Sequence, residues 1–540
     1  MKTLITNGFI VDGTGEPGYR GSILIEDGKI SSLEKADPVH TKDEPFSGAH
    51  DGPDVKRVNA EGHVVCPGFI DTHSHSGLKV LEDGYQAPKL LQGITTEIYG
   101  QDGVCVAPLP LDRIEVWRKY ISGLDGDSDK VDWTFETTEG YLKALEKNGI
   151  STNAAYLVPH GNVRLEVMGL SDRAPTDEEI KAMQAVVRRE MEGGAIGFSS
   201  GLIYIPCAYS LTDELIELCK TVRELDGVFV VHQRSEADEI LSSMDEILEI
   251  GRQSGVRLHF SHFKACGKKT WDKIPAMLEK LDKAREEGLT VSFDQYPYIA
   301  GSTTLSVVFP PWVHVGGAEK MLERLGDEEV LARVEKDIAA GSQGWDNFVD
   351  FAGWDGIFIT YVKSEKNQNL VGKSLKEIGE IRGVSPLKAT ADLLIEEKGA
   401  ASLVDFYGTE EHVKTFLTRP EQNVCTDGLL LGTPHPRVYG SFPRILGKYV
   451  REEKVLTLEE AVYKMTGKAA QAFRLKDRGR LAPGMAADLV IFNPDTVLDK
   501  GTFENPRQYP EGIMAVMVNG RFVYDTEGMH RIPAGRVLRR

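Results

Sequence analysis

EGHVVCPGFIDTHSH, residues 61–75, changes character within a few positions. The apolar, β-prone run from Val64 to Ile70 ends abruptly in Asp71, His73 and His75. Two histidines two positions apart on an extended segment present their imidazoles on the same side, which a metal ion can use. A chance pair of loop histidines is the plainer alternative.

From this stretch onward one grammar repeats: a short apolar strand, a turn holding Gly, His or Asp, then a charged amphipathic helix. Eight candidate strands follow it: Gly68 to Thr72, Ile94 to Tyr99, Asn153 to Val158, Ala195 to Ser199, Val228 to His232, Arg257 to Ser261, Leu289 to Asp294 and Asn423 to Asp427. Helices such as DEEIKAMQAVVRREMEGG carry apolar residues at three-to-four spacing. The expected fold class is α/β, a parallel (β/α)8 TIM-like barrel. Upstream, LITNGFIVDG and GSILIEDGKISSLE read as hairpins turned by Asn-Gly and Asp-Gly, and about 36 to 55 reads as a polar surface loop. Downstream, GRLAPGMAADLVIFNPD and GIMAVMVNGRFVYDTEG return to β patterning. Neither end has much core alone, so the two are expected to pair into a composite β-sandwich domain. The expected division is 1–66 for its N-terminal part, 67–480 for the barrel and 481–540 for its C-terminal part. Residues 301–420, after the seventh strand, are too long for a βα connection and must hold extra helices.

Composition bounds the partners. The chain has 540 residues with Lys plus Arg 63 against Asp plus Glu 82, a formal charge of -19. That argues against nucleic acid as the main working surface. No window reaches the roughly 18 apolar residues needed to cross a bilayer, and MKTLITNGFIVDGTG lacks a signal-peptide core. Six scattered cysteines without CxxC spacing read as reduced, buried thiols of a cytoplasmic protein. The Gly-x-Gly sequences lack the strand, phosphate turn and acidic residue of a nucleotide fold.

His232 ends the strand FVVH, and His262 follows the strand in RLHFSH. Asp427 closes NVCTD at the eighth. With His73 and His75 they make five metal-capable groups at the ends of four predicted strands, the rim where barrel active sites gather. Imidazoles and carboxylates there suit a divalent ion, zinc first, and Asp427 is the natural carboxylate to move a proton. Metal-assisted hydrolysis is the functional inference; a catalytically silent metal-binding barrel is the alternative. His160, after the third strand, is read either as an electrophile near the reacting carbonyl or as a loop-stabilising histidine. Tyr204 and Cys207 are read as pocket wall. Phe309, Trp312 and Val313 form either a lid or an internally packed helix pair.

These residues resemble the metal-dependent amidohydrolase superfamily. LQGITTEIYGQDGVCVAPL, IGFSSGLIY, HFSHFKACG, FDQYPYIAGST and HPRVYGSFPRILG are similar to its D-aminoacylase branch, the N-acyl-D-amino-acid deacylases, over nearly the whole chain. The resemblance implies hydrolysis of the linear amide of an N-acyl-D-amino acid, a carbon–nitrogen bond other than a peptide bond. It implies that His232 and His262, with a ligand from the second strand loop, hold the tighter zinc, while His73 and His75 face a second position. Cobalt or manganese are substitutes. Arg437, Tyr296, Ser302 and Lys264 are implied to hold the substrate's carboxylate and carbonyl, and a guanidinium independently matches a carboxylate. The implied substrate is a small anionic N-acylated molecule; homo-oligomerisation is left open. Where the family has Asn-Cys-Gly with a ligating cysteine, this chain has Gln101-Asp102-Gly103. Asp102 is the expected replacement ligand, with Cys105 or neither as the alternatives. GAIGFSS has no lysine for a carbamylated bridge, but a cyclic amidase of hydantoin or dihydropyrimidine type remains the runner-up, together with a D-dipeptide-type peptidase.

Overall fold

The computed structural model describes residues 2–36, 55–341 and 344–540. The polar loop expected at about 36 to 55 lies, apart from its two end residues, outside the described residues. Eight parallel strands run in sequential order: Phe69–Asp71, Ile94–Tyr99, Asn153–Pro159, Gly197–Gly201, Val228–His232, Arg257–Phe260, Val291–Gln295 and Gln422–Val424. They are buried over almost their whole length, as strands covered on both faces must be. The second and fifth coincide with the sequence reading; the others shift by one to three residues at an end.

Closure between the first and eighth strands combines backbone contacts just past the strand ends with buried side chains. A parallel bridge joins Ser74 to Gly428. The Thr426 amide donates to Asp71 at 2.8 Å, and the fully buried Lys89 ammonium reaches Asp71 at 2.7 Å and the Thr426 hydroxyl at 2.6 Å. Outside the barrel, helix Asp177–Glu192 shows why these segments are helical. Thr176 and Glu179 form a capping box, three acidic residues fill the first turn, and Met183, Val186, Val187 and Met191 form the buried stripe.

The two chain ends share one nine-stranded sheet. Its joint is Val64–Pro67, parallel to Lys2–Ile10 and antiparallel to Leu489–Phe492. Asp27-Gly28 and Asn519-Gly520 turn hairpins with positive φ at both residues. Asn7-Gly8, expected to be a turn, instead lies inside the strand Lys2–Ile10 as a bulge. Asn7 takes φ 62° and donates to Asn59 at 3.0 Å. A Cβ at Gly8 would lie 2.6 Å from Val65, so packing holds the strand straight through a turn-prone pair.

The segment after the seventh strand is more than helices. Ala300–Thr304, Ile357–Val362 and Ala401–Phe406 form an antiparallel three-stranded sheet. Helices including Ala318–Leu325, Glu328–Ala339 and Pro386–Glu396 pack around a separate apolar core. Phe309 and Val313 belong to that core. Trp312 stacks under Arg333 and donates to Asp337, so the three residues are internal packing.

Candidate metal centre

The donors gather because strand ends turn sharply inward. Three residues at those turns, Asp102, His262 and Asp427, hold φ of 54°, 33° and 46°. Left-handed backbone costs a non-glycine residue on the order of 1–3 kcal/mol, and such strain survives where the surroundings over-determine it. For Asp102 those surroundings are visible. Gly100 and Gly103 flank it with positive φ. The Ser199 hydroxyl donates to the Gly100 carbonyl and accepts from the Gly103 amide.

His73 Nε2 and His75 Nε2 lie 3.3 Å apart. Asp102 Oδ2 is 3.5 Å from the first and 3.4 Å from the second. Asp427 Oδ1 is 3.6 Å and 3.4 Å from the same two atoms. Ligand atoms about 2.1 Å from a tetrahedral centre stand about 3.4 Å from one another, so these separations fit a zinc-type ion. Two buried carboxylates facing the same pair of imidazoles also call for a cation. His262 Nε2 continues the cluster, 3.7 Å from Asp102 Oδ2 and 2.9 Å from His232 Nδ1. His73, Asp102 and His262 thus form a second donor group beside His73, His75 and Asp427, with His232 and Glu236 beyond it. The two groups that share His73 are candidate donor clusters and point to a two-metal site of the zinc, cobalt or manganese kind.

Electrostatics separates the roles. Burial opposes ionising Asp427, but the Arg437 guanidinium, 2.9 Å from Oδ2, and the neighbouring imidazoles outweigh it and hold the carboxyl far below its usual range. Asp102 is lowered likewise, burial being overcome chiefly by His73. Burial brings His232 down to about 4, leaving it neutral and able to ligate. His262 stands at about 9; burial and Lys264 oppose its charge, while Glu236 and Asp102 overcome both. Cys105, the alternative ligand, packs among Trp117, Tyr141 and Tyr156 on the apolar side, and burial pushes its thiol up.

A cleft of about 490 Å³ opens over the donors, lined by His75, Asp102, His232, His262 and Asp427 and by Lys264, Tyr204, Tyr296 and Ser302. Lys264 is paired with Glu236 at 2.6 Å. Ser302 donates to the Leu403 carbonyl at 2.8 Å, and Tyr204 shares a 2.8 Å hydrogen bond with Thr303. Arg437 is fully buried behind these residues, over the Tyr296 ring and bonded to the Ser302 carbonyl at 3.1 Å. Its Nη1 faces Asp427 Oδ2 at 2.9 Å, and its Nε has no hydrogen-bond partner. His160 is elsewhere. It bonds Glu214 at 2.8 Å and Ser200 at 2.9 Å in a buried pocket, and Arg164 pairs with the same Glu214. That is the loop-stabilising arrangement, with both ring nitrogens engaged, so His160 is not brought to the reacting carbonyl.

Sequence reasoning missed three supporting acids. Asp125 lies 3.1 Å from His75 Nδ1 and sets that ring's orientation. Glu236 lies 3.1 Å from His262 Nδ1. Asp294 accepts from the His262 amide at 2.6 Å and from Thr72 at 2.9 Å. The position of Asp294 at a strand's C-terminal end, and of Glu236 four residues after His232, were usable signals. Asp125, inside the acidic run GLDGDSD, looks like surface.

A model described as "Amidohydrolase family" matches residues 56–307 and 422–524. The unmatched stretch between them holds the inserted helices and two of the three strands of the inserted sheet, Ile357–Val362 and Ala401–Phe406. The D-aminoacylase of Alcaligenes xylosoxydans xylosoxydans is 33% identical, covering 99% of this chain and 97% of its own length. The N-acyl-D-glutamate deacylase of the same organism is 33% identical over 100% of this chain and 97% of its own. The crystal structure of N-acyl-D-glutamate deacylase from Bordetella bronchiseptica, complexed with zinc and a phosphonate mimic of the tetrahedral intermediate, superposes with TM-score 0.81. It is 33% identical and covers 100% of this chain and 99% of that one.

Proposed function

The chain belongs to the metal-dependent amidohydrolase superfamily, in its D-aminoacylase/N-acyl-D-amino-acid deacylase family, and from that premise we propose that it hydrolyses the linear amide of an N-acyl-D-amino acid to a carboxylate and a D-amino acid. The observation that carries this reading is the double engagement of Asp427. One oxygen faces His73 and His75, and the other faces Arg437.

His73, His75, Asp102, His232 and His262 would hold one or two divalent ions, which when bound lower the pKa of water and polarise the scissile carbonyl. Asp427 takes the proton from the attacking water, because Arg437 keeps it ionised beforehand. It then releases that proton to the amide nitrogen as the bond breaks. Lys264, Tyr296 and Ser302, with Arg437 behind them, receive the substrate's carboxylate. The buried, unpartnered Nε of Arg437 supports that assignment. Tyr204 contributes wall next to His232, 5.5 Å between ring centroids.

Purified protein supplied with zinc, cobalt or manganese should release a D-amino acid from N-acetyl-D-amino acids and leave hydantoin and dihydrouracil closed. Ring opening without deacylation would replace this reading with a cyclic amidase. Turnover of D-dipeptides alone would replace it with a peptidase.

A further inference from the structure

The sixth strand, Arg257–Phe260, places a histidine in the barrel interior, where branched apolar side chains are the rule. His259 has no solvent exposure and does not border the cleft. Both ring nitrogens are engaged. Nε2 lies 2.9 Å from Asp294 Oδ2, and Nδ1 shares a 2.8 Å hydrogen bond with the Ser292 hydroxyl. The Phe473 ring packs edge to face against the imidazole, 4.7 Å between centroids. Burial disfavours a charge on Asp294, but His259 above all, then His73 and the His262 amide, hold its carboxyl at about 2. An ionised carboxylate only accepts, so Nε2 carries the proton.

Asp294 in turn seats two of the donor turns. Its Oδ1 accepts from the amide of His262, the residue held at φ 33°, and its carbonyl accepts from the next amide, Phe263, at 2.8 Å. Its Oδ2, the oxygen that His259 holds, also accepts from Thr72, immediately before His73. His73 and His262 belong to the two candidate donor groups. The terminal torsion of an aspartate is broad, so its hydrogen-bond donors set it. His259, itself fixed by Ser292 and Phe473, is the donor that belongs to neither turn.

We propose that His259 is a positioning residue of the metal centre. By fixing the Asp294 carboxylate from inside the barrel, it sets the spacing between the His73 and His262 turns, and with it the geometry in which the ions are held. The inference rests on the metal-dependent reading above, and not on which N-acyl-D-amino acid is cleaved.

The test compares the wild type with His259→Leu, His259→Gln and Ser292→Ala, each as the whole chain. Zinc affinity is read by chelator competition, and ligand geometry by the visible spectrum of the cobalt-loaded protein, neither of which needs a substrate. His259→Leu should weaken zinc binding by about 10–100-fold and alter the cobalt spectrum. At saturating zinc its kcat on an N-acetyl-D-amino acid should fall by about 10-fold or more, with KM within about twofold. His259→Gln keeps an N–H for Asp294 and should bring affinity and kcat to within about threefold of the wild type, with its cobalt spectrum. A merely structural loss would lower the denaturation midpoint and leave that spectrum unmoved. A folded His259→Leu protein with wild-type affinity and spectrum, or a His259→Gln protein as impaired as it, would overturn the proposal. If His259→Leu does not fold, Ser292→Ala decides: a smaller shift in the same direction supports the role, and no shift overturns it. A wild type that binds zinc yet cleaves no N-acyl-D-amino acid would overturn the deacylase reading alone, since affinity and spectrum still test His259.

Discussion

Asp427 combines a backbone that non-glycine residues avoid with a charge that burial disfavours, and both are held by neighbours. Arg437 supplies the counter-charge, and the Asp427 amide donates to the His73 carbonyl at 2.9 Å, tying the eighth strand's loop to the first. Asp427→Asn keeps shape and removes the proton acceptor. Turnover should fall by about 10²–10⁴-fold while metal content measured by mass spectrometry is retained. Unchanged turnover would remove Asp427 from the chemistry. Asp125 acts one step further out, through His75. Asp125→Ala should weaken metal binding by about 10–100-fold in a competitive chelator titration, with a smaller effect on turnover at saturating metal. Undiminished affinity would make that contact incidental. These contrasts explain why site residues were legible to different degrees. The His73–His75 pair and the strand-ending His232 and Asp427 announce themselves by position. Asp125 reaches His75 from fifty residues away, through a connection whose fold no local pattern encodes.

At the scale of elements, barrel closure depends on a buried charge. Lys89 has no solvent exposure and sits between Asp71 at 2.7 Å and Glu97 at 3.4 Å. Lys89→Met would leave two carboxylates uncompensated, costing about 3–5 kcal/mol, seen as a lower denaturant midpoint. An unshifted midpoint would show that the closure stands without it. Helix Leu458–Met465 carries a different buried lysine. Burial, reinforced by Lys468, lowers Lys464 to about 7. Its folded pKa is below the unfolded value, so between about pH 7 and 10.5 the unfolded chain binds the extra proton. Stability then rises with pH by up to about 1.4 kcal/mol per unit. Denaturation at pH 7.5 and 9.5 should show Lys464→Met losing that rise relative to the wild type. Equal slopes would contradict it. Periodicity located helix Asp177–Glu192 and the barrel strands well, because apolar runs and amphipathic stripes are local. It misassigned Asn7-Gly8, because only the contact with Val65 on another strand decides between a turn and a bulge.

For the whole molecule, the ends of the chain complete one sheet, and the insertion carries its own core over the mouth of the barrel. The sequence reading anticipated the shared β domain because neither end has enough apolar residues alone. It named only helices for the insertion, since AGSTT and ASLVDF pair across about a hundred residues and show no regular alternation. The charge of -19 lies on a protein whose proposed substrate is an anion. Lys264 in the cleft wall and Arg437 buried behind it are the local exception that favours an anion. The central claim is that this donor set makes the chain a metal-dependent N-acyl-D-amino-acid deacylase. The direct measurement is to strip the protein with a chelator, then titrate zinc back while following N-acetyl-D-amino acid, its L enantiomer and hydantoin in parallel. D-amino acid release should vanish on stripping and return at one or two zinc per chain, with the L enantiomer and hydantoin untouched. Full D-substrate hydrolysis by the stripped protein, or zinc-restored opening of hydantoin with the D-substrate intact, would contradict it.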